Sequence, residues 1–191
     1  DELARQNRIK QGTANIDRTF GEQFNNQFYD GIANSYSDFA RPQLDEQRRD
    51  ANGQLIHYLA RSGKLDSSTR ATKGAELQET YDLGLQEIAD RARGMSNDSR
   101  SAVEDARSAL IAQVNATGDA TGATNAAVRR AAALSQPAGE YSALADMFGG
   151  FTDTLGRRYA AERAFAASGG MSAGYKPVSH GARGNAVRVT G

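Results

Sequence analysis

The sequence predicts an all-α protein: an elongated helical bundle built from long-helix hairpins, followed by a flexible, glycine-rich C-terminal tail. The chain has 191 residues with three prolines, no cysteine and no tryptophan, and much of its apolar content is alanine. Apolar residues recur at steps of three and four across residues 13–167, which is the spacing of one helix face. Basic and acidic residues balance at 23 each, as is typical of long, exposed helices.

Composition also argues against several functions. The absence of cysteine removes disulfides, thiolate metal sites and cysteine nucleophiles. The zero net charge removes a whole-molecule attraction to DNA or anionic lipid. The two histidines, His57 and His180, have no second ligand at helical spacing. We therefore predict no metal, no cofactor and no enzymatic activity.

An aromatic stripe marks the first long helix. Thr13 is a suitable N-cap for it, and Gly12 weakly interrupts the segment before. The pair Arg41-Pro42 ends or kinks this helix, because the residue before a proline disfavours the α region. Between these points apolar residues recur at steps of four, closing with a step of three: Ile16, Phe20, Phe24, Phe28, Ile32, Tyr36 and Phe39.

A helical hairpin is predicted next. The second helix follows Pro42, and its apolar face consists of Leu44, Ala51, Leu55, Tyr58 and Leu59. Gly63 is a natural left-handed cap for its end, and Asp66 or Ser67 caps the third helix. We therefore predict a turn at residues 61–68 that folds the second helix back along the third.

The third helix is the longest predicted element. No proline interrupts residues 67–116, and about 48 residues make a rod of roughly 70 Å. Gly94 is its weak point, because glycine lowers helix propensity. The predicted seam consists of Leu77, Tyr81, Leu85, Ile88, Ala92, Met95, Ser99, Ala102, Ala106, Leu110 and Gln113.

The aromatic stripe and this seam supply the candidate functional residues. We favour a bundle core for them, with an oligomer or partner interface as the alternative, because aromatic residues dominate interface energetics. The seam is too narrow to bury a full core within one chain, so we expect a homo-oligomer. The residues assigned to packing or an oligomer interface are Phe20, Phe24, Phe28, Tyr36, Tyr81, Leu85 and Ile88.

The chain divides into three predicted regions: residues 1–116 form the long helical hairpin, residues 117–167 form short helices, and residues 168–191 form a basic tail. Within the second region, an alanine-rich helix is followed by an amphipathic helix that starts near Tyr141 and is interrupted by Gly149-Gly150. The tail has no acidic residue. Its basic residues are candidate contacts to DNA or a partner, with a solvated end as the simpler interpretation: Lys176, Arg183 and Arg188.

Three stretches carry a family resemblance. They are residues 24–29 (Phe-Asn-Asn-Gln-Phe-Tyr), residues 42–47 (Pro-Gln-Leu-Asp-Glu-Gln) and residues 59–68 (Leu-Ala-Arg-Ser-Gly-Lys-Leu-Asp-Ser-Ser). Together they resemble internal virion proteins of short-tailed bacteriophages, also called core or DNA-ejection proteins. The order of helix, glycine turn, Ser-Ser cap and long helix is similar to the small core protein of T7-like phages. The resemblance covers the first two thirds of the chain and includes no catalytic motif.

The resemblance implies a location inside the capsid near the portal or in the tail, and delivery into the host envelope with the genome. There such proteins are thought to form part of a DNA conduit. It also implies portal or tail-adaptor partners and non-specific contact with DNA. No clear membrane-inserting segment is visible in the sequence; the nearest candidate is the amphipathic stretch at residues 141–165.

Other functions remain open at this stage. A cellular coiled-coil scaffold or a secretion-system interaction protein has the same physical requirements and differs only in its partner. A nucleic-acid-binding protein is disfavoured by the zero net charge. A peptidoglycan-degrading or other enzyme ranks last, because a chain of thin helices offers no catalytic cleft.

Overall fold

The structure, a computed structural model, describes residues 2–136 and 141–167. Within these residues 88% are helical and none is in a strand, which confirms the all-α prediction. The tail with Lys176, Arg183 and Arg188 lies outside the described residues. The described helices are α1 (Glu2–Gln23), α2 (Asn26–Arg61), α3 (Ser68–Thr117), α4 (Ala120–Leu134) and α5 (Gly149–Ala167).

Helix α3 is the element against which most of the others pack. Its 50 residues extend over roughly 75 Å at 1.5 Å per residue. Helix α2 folds back along the N-terminal half of α3, while α1 and α4 pack on the C-terminal half. Helix α5 packs on α2, close to the turn between α2 and α3. The result is a long hairpin with a three-helix bundle at one end.

The break between α1 and α2 lies at Phe24 and Asn25, so that the two helices form one long, bent arm. Asn25 has extended backbone angles, and its side chain accepts a hydrogen bond from the Phe28 N–H at 3.1 Å. This is an N-cap, because it satisfies one of the free N–H groups at the start of a helix. The four-residue spacing of the aromatic stripe predicted one helix through these residues, so this boundary differs from the prediction.

Neither of the two boundaries predicted at Gly12-Thr13 and Arg41-Pro42 begins or ends a helix, and the alternative of a kink at Arg41-Pro42 stays a prediction. Helix α1 runs through Gly12 and Thr13 without a new start. Helix α2 continues through Pro42 instead of ending there. An internal proline costs about 3 kcal/mol, but Ala40 and Leu44 on either side are fully buried against α3. Burial of one leucine side chain contributes roughly 1.5–3 kcal/mol, so packing on α3 offsets the cost.

The turn between α2 and α3 closes with a glycine in the left-handed region. Gly63 has φ 66°, and its N–H donates to the Ala60 carbonyl at 3.3 Å. The Lys64 N–H donates to the Leu59 carbonyl at 2.9 Å. This pair of hydrogen bonds is the Schellman motif, which satisfies the last carbonyls of a helix. The chain therefore reverses within the predicted range.

The residues before α3 do not cap it through their side chains. Ser67 directly precedes the helix, but its hydroxyl donates to the Lys64 carbonyl at 2.7 Å and makes no capping hydrogen bond. Asp66 lies in the turn and makes no hydrogen bond with a described residue. Ser67 therefore occupies the predicted N-cap position with extended backbone angles, but its side chain does not form the capping hydrogen bond.

The buried side of α3 differs from the predicted seam in its C-terminal half. Val103 is buried there, whereas the predicted Ala102 is exposed. At the end of the seam, Leu110 and Val114 are buried as their apolar character predicts, and Gln113 is exposed. Val103 thus lies inside in place of Ala102, and Val114 in place of Gln113. Each difference moves the seam by one residue, because three-residue and four-residue steps are both compatible with one helix face. The larger apolar side chain lies inside in both cases.

Residues 141–148 do not form the amphipathic helix predicted to start at Tyr141. Side chains of α2 satisfy the main chain of this segment instead: the Leu144 N–H donates to Gln43 Oε1 at 2.9 Å, and the Met147 N–H donates to Gln47 Oε1 at 2.9 Å. Leu144 and Phe148 are buried beside α2 and α3. Gly149 therefore begins α5 and does not interrupt a longer helix.

Candidate functional site

The aromatic stripe lies largely inside the chain's own core. Phe20, Phe24 and Tyr36 are buried, and Phe28 is half-buried. Ring centroids are 5.5 Å apart for Phe20 and Phe24, and 5.0 Å apart for Phe24 and Phe28. Such tilted and edge-on contacts stabilise aromatic pairs. The stripe therefore joins the arm α1–α2 to α3 and α4 within one chain.

Tyr29 belongs to the same cluster, although the sequence analysis did not single it out. It is buried, and the Arg100 Cζ atom lies 4.3 Å from its ring centroid. Burial raises the pKa of Tyr29, partly opposed by the positive charge of Arg100. The four-residue spacing predicted Phe28, not Tyr29, on the buried face. Because a new helix starts after the break at Asn25, Tyr29 is buried and Phe28 is only half-buried.

Three residues of the predicted seam, Tyr81, Leu85 and Ile88, pack against α2 and residues 141–148. Ile88 is buried, while Tyr81 and Leu85 are half-buried against the same cluster. The Tyr81 hydroxyl donates to Asp45 Oδ1 at 2.7 Å, and this hydrogen bond is the main reason that the pKa of Tyr81 is raised. Arg48 lies over the Tyr81 ring at 4.4 Å. These residues thus hold the hairpin together.

Lys73 is a buried charge that the sequence analysis missed. It is only 5% exposed, its Nζ is hydrogen-bonded to Glu76, and it lies 6.0 Å from the Phe151 ring centroid. Its position four residues before Leu77 is the signal that places it on the buried face of α3. A buried lysine requires a partner, and Glu76 provides it.

A central groove opens between α2, α3 and the end of α4. Its volume is about 690 Å³, and apolar side chains such as Phe28, Ile32, Met95 and Leu134 line most of it. It continues into a smaller cavity of about 340 Å³ that shares Met95 with it and also includes Arg91. Gln136 and Tyr141 both line the central groove. Residues 137–140, which connect them in the sequence, lie outside the described residues.

A second groove, the basic groove, lies between α2 and α5 near the hairpin turn. Its volume is about 330 Å³, and its walls include His57 and Arg61 from α2 and Tyr159 from α5. Beside it, Glu162 Oε1 accepts hydrogen bonds from Lys64 Nζ at 2.6 Å and from the Tyr58 hydroxyl at 3.1 Å.

The hydrogen bond from Lys64 is the largest contribution that lowers the pKa of Glu162, and the same bond raises the pKa of Lys64. The carboxylate and the ammonium group each favour the charged form of the other. This ion pair therefore holds α5 against the hairpin turn around neutral pH.

Within residues 2–136 and 141–167, no three His, Cys, Asp or Glu side chains are grouped closely enough to hold a metal ion. None of the helices formed by those residues combines the length and the apolar character required to cross a bilayer. His57 lies on a wall of the basic groove, and His180 lies outside the described residues.

No protein-family model, curated protein or solved structure matches this chain. Fold and surface therefore define its class directly. The described residues form an all-α helical hairpin that contains a mainly apolar groove and a second groove lined by one arginine, Arg61.

Proposed function

We propose that this chain is a structural component of a bacteriophage virion at the portal or tail vertex, an internal or ejection protein that assists delivery of the genome into the host. The residues at 24–29, 42–47 and 59–68 support this proposal through their resemblance to internal virion proteins of short-tailed phages. The proposal includes self-association and contact with other virion proteins such as the portal or a tail adaptor.

The observation that carries the proposal is the uninterrupted helix α3, 50 residues long, with α1, α2 and α4 packed along it. Copies of such a rod set side by side form a stiff tube. The fully buried residues of α3 from Leu77 to Val114 form a narrow row of single side chains, at steps of three or four residues with two wider gaps, Leu77 to Gly84 and Ala92 to Val103. This row packs against α1, α2 and α4 of the same chain, so copies in such a tube would contact one another through the exposed face of α3.

The decisive experiment uses the phage that encodes the chain. We expect mass spectrometry of purified virions to detect the protein. Particles that lack it are expected to contain the full genome and adsorb normally, but quantitative PCR should detect little phage DNA inside the cells. Supplying the wild-type protein in trans during particle assembly is the control and should restore delivery.

Two results contradict the proposal. One is the absence of the protein from purified virions, and the other is normal infection by particles that lack it. In either case the alternative function takes over: a cellular coiled-coil scaffold or a secretion-system interaction protein, whose helical hairpin meets the same physical requirements.

A further inference from the structure

The neutral charge of the whole chain conceals an uneven distribution. From Gly149 to the C-terminus the sequence contains six Lys or Arg residues and two Asp or Glu residues, a net charge of +4. Because the whole chain has no net charge, residues 1–148 have a net charge of −4. A charge asymmetry of this kind is typical of a segment that meets a polyanion.

The described part of this positive segment is α5, which forms one wall of the basic groove. Two guanidinium groups lie near Tyr159: the Arg61 Cζ atom is 5.8 Å from its ring centroid, and the Arg163 Cζ atom is 5.9 Å from it. Arg61 comes from the last turn of α2 and Arg163 from α5. The packing of α5 on α2 therefore brings together two arginines that are distant in sequence.

Neither guanidinium is neutralised by the described part of the chain. Both arginines are exposed, and no carboxylate of a described residue lies within 4.0 Å of either one. Arg107, by contrast, forms salt bridges with Asp17 at 2.9 Å and with Glu104 at 3.1 Å. A free guanidinium offers up to five N–H donors in a planar arrangement that matches phosphate oxygens.

The acidic residues near the groove leave this positive charge in place. Glu162 is already paired with Lys64, and Arg158 contributes further positive charge to its surroundings. Asp153 is the other acidic residue of α5, Asp66 lies in the turn, and Glu76 is already paired with Lys73. No acidic side chain lines the groove itself among the described residues.

We propose that the basic groove, together with Arg163 beside its Tyr159 wall, is a binding site for nucleic acid, in which Arg61 and Arg163 contact phosphate groups and Tyr159 contacts a sugar or base. Arginine beside an aromatic ring is a combination that single-stranded nucleic acids use, because phosphates bind the cation and bases stack on the ring. This site goes beyond the proposed virion role, since it rests on charges and contacts alone.

Fluorescence anisotropy with the full-length protein and a labelled 30-nucleotide single strand tests the site. We expect binding that weakens as salt rises from about 50 to 200 mM, because phosphate contacts release counterions. The double variant Arg61→Gln/Arg163→Gln should bind on the order of tenfold more weakly near 0.1 M salt and show a smaller salt slope, by about 1.4 for two lost phosphate contacts.

The matched control is Arg129→Gln/Arg130→Gln, which removes the same charge from exposed positions on α4 at the opposite end of the hairpin. This control should retain nearly wild-type affinity. Thermal unfolding of both variants should match the wild type, since all four arginines are exposed.

Three results overturn the site. One is an equal loss of affinity in both double variants, which reduces the effect to net charge. Another is unchanged binding by Arg61→Gln/Arg163→Gln. The third is binding to vesicles of anionic phospholipid without binding to DNA, which identifies a lipid surface instead. The in vitro readout separates this site from the virion role, because virion composition does not enter it.

Discussion

Gly84 on α3 lies directly against Leu44 on α2. A Cβ atom built at Gly84 would lie 2.6 Å from Leu44 Cδ1 and 3.0 Å from Cδ2. Leu44 is fully buried, so its side chain has little room to move aside. The glycine thus permits the close approach of the two long helices, at the centre of the hairpin core.

The first prediction follows from this contact. Gly84→Ala should destabilise the protein, because overpacking in a buried site costs roughly 1–3 kcal/mol and exceeds the gain in helix propensity of about 1 kcal/mol. Gly94→Ala is the matched control, since nothing lies within 4 Å of a Cβ at that position of the same helix. It should stabilise by up to about 1 kcal/mol. Urea unfolding of both variants measures the difference, and equal midpoints would refute the close approach.

The hairpin turn gives the second prediction. Gly63→Ala places a Cβ atom in the left-handed region at φ 66°, which should reduce the free energy of unfolding by about 1 kcal/mol. Gly63→Asn is the control, because asparagine tolerates this conformation better. Its smaller loss should appear in the same urea titration. Identical losses for both substitutions would show that backbone conformation is not the cause.

The third prediction separates core packing from self-association. Leu85 is half-buried against α2, whereas Leu83 on the same helix is 54% exposed. Leu85→Asp should destabilise the monomer by about 1–3 kcal/mol, because it forces a charged group into an apolar contact. Leu83→Asp should change monomer stability by less than about 0.5 kcal/mol.

Chemical unfolding and sedimentation velocity together provide the measurement. Sedimentation of the wild type should show the expected homo-oligomer, and a shift toward monomer in Leu83→Asp alone would place the interface on the exposed side of α3. If Leu85→Asp left unfolding unchanged and only dissociated the oligomer, the assignment of Leu85 to the intramolecular core would be wrong.

The fourth prediction concerns the pH dependence of α5. The hydrogen bond from Lys64 lowers the pKa of Glu162 from its ordinary 4.5, so the stabilisation is present above that pH and is lost as pH falls through the lowered value. The pKa of Lys64 is raised from 10.5, so its contribution is present below that pH and is lost as pH rises through the raised value. Tyr58 and Arg158 also act on Glu162 and favour its charged form.

Hydrogen exchange of the α5 amides, corrected for the intrinsic effect of pH, tests this prediction. Protection of α5 should decrease in acid before protection of α3, because α5 packs on α2 through a small cluster around Leu155. In Glu162→Gln, α5 should be less protected at neutral pH, and its additional acid sensitivity should disappear. An unchanged acid profile in that variant would assign the effect to other carboxylates.

Local signals in the sequence were sufficient for part of the fold. Helical spacing predicted the all-α class and the apolar face of α2, and Gly63 marked the reversal of the chain. These features depend on a few neighbouring residues, since helical periodicity and a left-handed glycine are local properties. The same helical spacing selected the residues of the aromatic stripe and of the α3 seam as packing residues. Spacing alone does not distinguish a core within one chain from an interface between copies.

The sequence by itself thus determined the helical class, the long α3 and the position of the hairpin turn. Only the tertiary structure decided that α2 continues through Pro42, that Gln43 and Gln47 hold residues 141–148 in a non-helical path, and that Arg61 and Arg163 meet at Tyr159. The physical reason is that packing and hydrogen bonds between distant segments outweigh local propensities of about 1–3 kcal/mol, and these contacts exist only once the helices are assembled.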